Sequence, residues 1–166
     1  MKLKKLSFVI FLILLSSCGY RIVRYLPPDI SSIAIPILKN DTYHPGIEVP
    51  ITNRIIIEFL QDGSLKVRKE RESDLLLLGR ITKYGRDVIA YDSEDTDEPI
   101  AFSLYIRLRF ILKDLRNNKV LWDTSELSGT TSYYVTGIYS KTEEEALTDA
   151  TEDLARKVVE KVVEYW

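Results

Sequence analysis

Histidine and cysteine each occur once in 166 residues, as His44 and Cys18, and that scarcity excludes more than any motif does. A single cysteine forbids an internal disulfide. His44 stands beside Pro45 in a polar loop, with no second histidine and no free thiol to complete a zinc-type site. Glycine is also scarce, and no glycine-rich phosphate loop or nucleophile elbow is present. The acids Asp92, Glu94, Asp95, Asp97 and Glu98 lack the regular spacing and mid-loop glycine of an EF-hand, so they read as a solvated hairpin tip. The net charge of −2 provides no basic excess for general nucleic-acid binding. There is no internal repeat and no low-complexity segment. With no catalytic constellation, no metal set and no cofactor motif, the chain reads as a binding or assembly protein and not as an enzyme.

A run long enough to span a membrane is missing as well. The apolar stretch 8–15, FVIFLILL, falls well short of the roughly 20 residues a spanning helix needs. It follows a basic segment with Lys2, Lys4 and Lys5, and it leads into Ser16 and Ser17, whose small side chains let a protease approach just before Cys18. This pattern resembles a bacterial lipoprotein signal, with Cys18 as the mature N-terminus and the site of lipid attachment. The resemblance implies three acyl chains, a durable anchor where a single chain holds only marginally. Residue 19 is Gly, not the Asp that retains many proteobacterial lipoproteins at the inner membrane, which points to the periplasmic face of the outer membrane. The expected organisation is a signal peptide at 1–17, a lipidated tether at 18–30 and one domain at 31–166. The leader carries three lysines and no acid, so the mature chain is more acidic than the whole.

Within the domain, Ile33, Ile35 and Ile37 alternate as in a strand, which Pro36 places at a sheet edge or brings to an end. Residues 48–61 form a helix with Pro50 in its first turn, an apolar face of Ile51, Ile55, Ile56, Phe59 and Leu60, and Gly63 as terminator. Short and long strands follow at 65–68 and 74–91, the second containing Leu75 to Leu78, a run suited to burial on both faces, and Gly79 and Gly85 as expected bulges or bends. Residues 101–113 alternate cleanly, with Phe102, Leu104, Ile106, Leu108, Phe110 and Leu112 on one face. The other face presents Tyr105, Arg107, Arg109 and Lys113. Arg116, Asn117 and Asn118 mark a turn, and 120–134 is read as one returning strand. Thr142 and Glu145 make a capping box for a last helix whose stripe includes Leu147, Ala150, Leu154, Ala155, Val158, Val159, Val162 and Trp166. The expected fold class is α+β, with two helices packed on one face of a mostly antiparallel, about four-stranded sheet. Tyr133, Tyr134 and Tyr139 gather near one sheet end and suit an interface.

Cys18-Gly19-Tyr20, Leu26-Pro27-Pro28, Ile33-Ala34-Ile35-Pro36 with Asn40 and Thr42, Asp62-Gly63, Leu78-Gly79, Tyr91-Asp92 and Val120-Leu121-Trp122 follow one another in an order that resembles the LptE family of lipopolysaccharide-assembly lipoproteins. The likeness runs on through Tyr133 to the helix with Ala146, Ala150, Leu154 and Ala155. It implies two helices on a mostly antiparallel sheet, and a lipoprotein that plugs and helps assemble the outer-membrane β-barrel LptD. It also implies binding of lipopolysaccharide and help with its transport and insertion. Family cations in the loop between two central strands and just before the last helix would contact that ligand. Lys141 matches the second position, while the first loop is acidic here. Arg107, Arg109 and Lys113 are the other lipopolysaccharide-binding candidates. The alternative is a small envelope lipoprotein that activates a peptidoglycan synthase or forms part of a secretion pore, because strands of the Ile-Ala-Ile-Pro type open those as well. The long run of strands argues against it.

Overall fold

The computed structural model describes residues 27, 29–93, 97–123 and 126–164. The signal peptide, Cys18, most of the tether, the centre of the acidic loop and Trp166 lie outside the described residues, and the expectations placed on them are not tested by the structure.

The chain folds as α+β. Among the described residues, two helices, α1 (Glu48–Asp62) and α2 (Glu143–Val163), accompany a seven-stranded sheet. The strands are β1 (Ser32–Ala34), β2 (Lys39–Asn40), β3 (Lys66–Val67), β4 (Leu75–Tyr91), β5 (Pro99–Asp114), β6 (Lys119–Asp123) and β7 (Leu127–Tyr134). The expectation of about four mostly antiparallel strands needs correction on both counts. β1 pairs in parallel with β3 and β4, and β2 in parallel with β4. The antiparallel part is the long β4–β5 hairpin with β6 and β7 added to the far side of β5. The parallel pieces are two or three residues long, too short to show a period in sequence.

Pro36 ends the first strand instead of marking an edge. β1 stops at Ala34 and lies between β3 and β4, and Ile37, beyond the proline, is 66% exposed. The expected single strand at 120–134 is two strands, because three steps along β5 from Ile111 to Leu108 face four steps from Asp123 to Leu127. Gly79 and Gly85 are not bulges either. Both sit in register opposite Phe110 and Tyr105, and the irregularities fall between Ile81 and Lys83 and beyond Val88. These glycines admit close neighbours: a Cβ at Gly79 would meet Leu38 Cδ2 at 2.3 Å, and one at Gly85 the Tyr105 hydroxyl oxygen at 2.7 Å.

The helices follow their sequence signals closely. In α1, Ile51, Ile55 and Phe59 recur every four residues and are fully buried, whereas Leu60 points outward. Gly63 takes a left-handed conformation and donates its N–H to the Phe59 carbonyl, closing the helix. In α2 the Thr142 hydroxyl accepts from the Glu145 N–H at 3.2 Å while the Glu145 carboxylate accepts from the Thr142 N–H at 2.8 Å. Both helices bury their stripes in a single core with Leu75, Leu77, Ile81, Leu104, Ile106, Leu108, Phe110 and Leu112. The opposite face of β4 and β5 carries the polar and charged side chains. No helix among the described residues is long and apolar enough to cross a membrane.

Asp74 fixes the point at which the tether joins the sheet. Its Oδ2 accepts from the Ser31 N–H (2.9 Å), the Ser32 N–H (3.0 Å) and the Ser32 hydroxyl (2.7 Å). The bond from the Ser31 backbone, with that from the Ser32 hydroxyl, holds the Asp74 carboxyl below its ordinary value. A lowered folded-state pKa means this stabilisation is complete above the unfolded value near 3.9 and is lost as pH falls through the folded one. Asp74→Ala should cost about 1–3 kcal/mol at pH 7 and flatten the acid limb of stability, as read by urea titration at several pH values. An unchanged acid limb would remove Asp74 from this role.

Candidate functional site

The charged face of the long hairpin is built by strand alternation. Residues 105, 107, 109 and 113 of β5 lie opposite its buried, helix-side set. The register then brings β4 side chains to them: Arg80 stands directly opposite Arg109, and Lys83 directly opposite Arg107. Tyr105 lies between the second pair, with Lys83 Nζ 5.3 Å and the Arg107 guanidinium 5.5 Å from its ring centre. Each arginine has a carboxylate at the margin. Asp41 accepts from Arg80 Nη1 at 2.7 Å, Glu126 lies 3.5 Å from Arg107, and Asp123 lies 3.9 Å from Arg109.

The structure thus joins Arg107 and Arg109 to two cations, Arg80 and Lys83, that the sequence reading missed. For Arg80 the signal was present in its period-two spacing from Leu78 on β4, whereas Lys83 falls out of that period and reaches this face only through the irregularity between Ile81 and Lys83. Lys113 is not part of this group. It pairs with Leu76 and Val120, about 13 Å further along the strand from Arg109.

Lys141 is apart from both. It lies just before α2, with its N–H donating to the Tyr134 carbonyl, and Tyr134 pairs with Ala101 six residues from Arg107, about 20 Å away along β5. Its ammonium contacts Asp149 on α2 at 2.5 Å, and that hydrogen bond raises the Lys141 pKa above the ordinary lysine value. The first turn of α2 is docked nearby through Glu143, which accepts from the Tyr84 hydroxyl at 2.6 Å and pairs with Arg86 at 3.1 Å. Burial, with the hydrogen bond to Glu143, pushes the Tyr84 phenol far above its usual range.

Around Lys141 the end of the sheet is apolar and open. Ile89 and Tyr91 of β4, Tyr134 at the end of β7, Val135 just after it, and Ile138 and Tyr139 in the following turn are all exposed. Bonds between Val135 and Ile100, and between Asp92 and Glu98, hold these segments at one end. Of the three tyrosines expected to gather here, Tyr133 is in the core, stacked on Phe102, and Tyr134 and Tyr139 face outward. The β4–β5 hairpin runs between this end and the tether, a path of about 50 Å along β4.

The outward features of the fold are thus exposed aromatics at one end and guanidinium groups along the sheet. The family model for lipopolysaccharide assembly, LptE, matches residues 30–162, nearly the whole described fold. The chain belongs to the LptE family. No curated protein matches the sequence. Solved structures share its fold at low identity. A hypothetical protein, CT253, from Chlamydia trachomatis has a TM-score of 0.60 at 12% identity, over 82% of this LptE chain and 97% of its own. The uncharacterized lipoprotein B from Nitrosomonas europaea has a TM-score of 0.51 at 17% identity, over 88% of each chain. A PelC dodecamer from Paraburkholderia phytofirmans has a TM-score of 0.52 at 16% identity, over 78% of this chain and 86% of its own. Membership ties this LptE chain to lipopolysaccharide assembly and implies partnership with an LptD barrel.

Proposed function

We infer that this LptE chain is an outer-membrane lipoprotein, anchored on the periplasmic face through lipidated Cys18, that plugs and helps assemble an LptD-type β-barrel and assists lipopolysaccharide transport through it. The observation that carries this reading is the family match over residues 30–162. The fold gives it a workable geometry. The tether enters at one end of the hairpin, clamped by Asp74, and the exposed Ile138 and Tyr139 lie at the other. A domain held at one end by lipid can extend that far end into a partner.

Arg107, Arg109, Lys113 and Lys141 remain the residues proposed to meet lipopolysaccharide, whose phosphates favour fixed cations. They divide by position: Arg107 and Arg109 sit within a cation group, and Lys141 is beside the aromatic end. Nothing in this function asks for a reaction at the protein, consistent with a non-catalytic family.

Depletion of the protein in its native host tests the reading. Surface lipopolysaccharide should fall and the barrel should accumulate in an unassembled form. Normal surface lipopolysaccharide together with a normally assembled barrel would contradict it.

A further inference from the structure

The charged face of the hairpin continues into a groove that neither the family match nor the fold relatives assign. A cavity of about 440 Å³ lies across β2, β4, β5 and β6 on the face away from the helices. Its floor is apolar: Ile37, Leu78 and Ile111 line it, with Ile37 66% and Leu78 43% exposed. Its rim is cationic, formed by Lys39, Arg80 and Arg109. Asp123 is the acidic member of the lining, at 3.9 Å from Arg109.

The order of side chains along the hairpin is the main observation. Leu78 faces Ile111, the next outward pair is Arg80 with Arg109, and beyond the bulge Lys83 faces Arg107. Successive outward pairs lie about 7 Å apart along a strand. Like charges directly opposite each other destabilise a sheet, and large exposed aliphatics gain nothing from water. This face keeps both, twice over for the cations, in an arrangement that suits a ligand with an apolar part and more than one anionic group. Asp41 meets Arg80 through Nη1 alone, which leaves the other N–H groups of that guanidinium to donate to a phosphate.

We propose that this groove is a binding site for the phosphorylated, acylated head of lipopolysaccharide. Acyl chain packs on Ile37, Leu78 and Ile111, and phosphate is held by the Arg80–Arg109 and Lys83–Arg107 pairs. The inference rests on the lipopolysaccharide-assembly reading and gives it a location. A ligand with a single negative charge would satisfy only one of the two cation pairs, so the groove is assigned to the multiply phosphorylated glycolipid over an ordinary anionic phospholipid.

The test uses the full-length lipoprotein in detergent, with purified lipopolysaccharide, enzymatically dephosphorylated lipopolysaccharide and phosphatidylglycerol vesicles as probes. Arg80→Glu combined with Arg109→Glu should weaken lipopolysaccharide binding tenfold or more, as expected for losing charge-assisted bonds. Leu78→Ser should weaken it as well, and Lys66→Glu, exposed on β3 and outside the groove, should not. The neutral pair Arg80→Gln with Arg109→Gln, checked by thermal melting, separates loss of binding from loss of fold. Dephosphorylated lipopolysaccharide should bind more weakly than the intact form. Unchanged binding in the folded double variants overturns the proposal, and so does equal binding of phosphatidylglycerol. If the double variant still recovers the barrel partner but lipopolysaccharide never binds this groove, the inference fails while the assembly function stands. If neither barrel nor lipopolysaccharide is bound by the wild type, the function itself fails.

Discussion

Gly129→Val should cost this domain most of its stability, and Gly129→Ala about 2–3 kcal/mol, because α2 lies directly on β7 at that residue. A Cβ there would be 2.3 Å from the Ala150 carbonyl oxygen, 2.5 Å from Leu154 Cβ and 2.9 Å from the Leu154 N. Two of these three are helix backbone, so no rotamer change relieves the contact. The helix has to retreat, which loosens the burial of Ala150, Leu154 and Val158 against the sheet. In a domain of this size the alanine variant should melt about 5–10 °C lower by circular dichroism. A melting temperature equal to wild type would mean that α2 does not approach β7 this closely.

Ile138→Asp combined with Tyr139→Asp should leave the fold unchanged and abolish recovery of the barrel. Ile138 is 90% and Tyr139 81% exposed in the isolated chain, and substitutions at such positions ordinarily move stability by no more than about 0.5 kcal/mol. In a complex that buries them, each loses about 1.5–3 kcal/mol of apolar burial, and a carboxylate is left without a partner. A loss of that size corresponds to a weakening of about a hundredfold or more. Full recovery of the barrel by this variant would move the contact surface elsewhere on the molecule.

Much of this architecture is written in local sequence. The capping box of Thr142 and Glu145, the glycine stop at Gly63 and the strict alternation from Phe102 to Leu112 all carry their geometry within a few residues, and each forms as those residues dictate. What sequence left hidden depends on pairing between distant segments. β1, β2 and β3 are too short to declare themselves, and they become strands by lying along β4. The division into β6 and β7 goes with a change of register against β5, and the tight packing at Gly79 and Gly85 with neighbours 41 residues before and 20 residues after in the chain. The candidate site shows the same division. Arg107 and Arg109 were legible as the polar face of an alternating strand, but Arg80 and Lys83 join them only through the hairpin register, and Lys113 and Lys141 prove to be separate from them. Residues 94–96 of the acidic loop and the lipidated end lie outside the described residues, so for them the sequence remains the guide.

The most direct measurement is affinity purification of the tagged, full-length lipoprotein from its native outer membrane, with mass spectrometry of the proteins recovered. The account predicts a β-barrel of the LptD type in equal amount to the lipoprotein. Recovery of a peptidoglycan synthase, or of a homo-oligomer with no barrel, would contradict it.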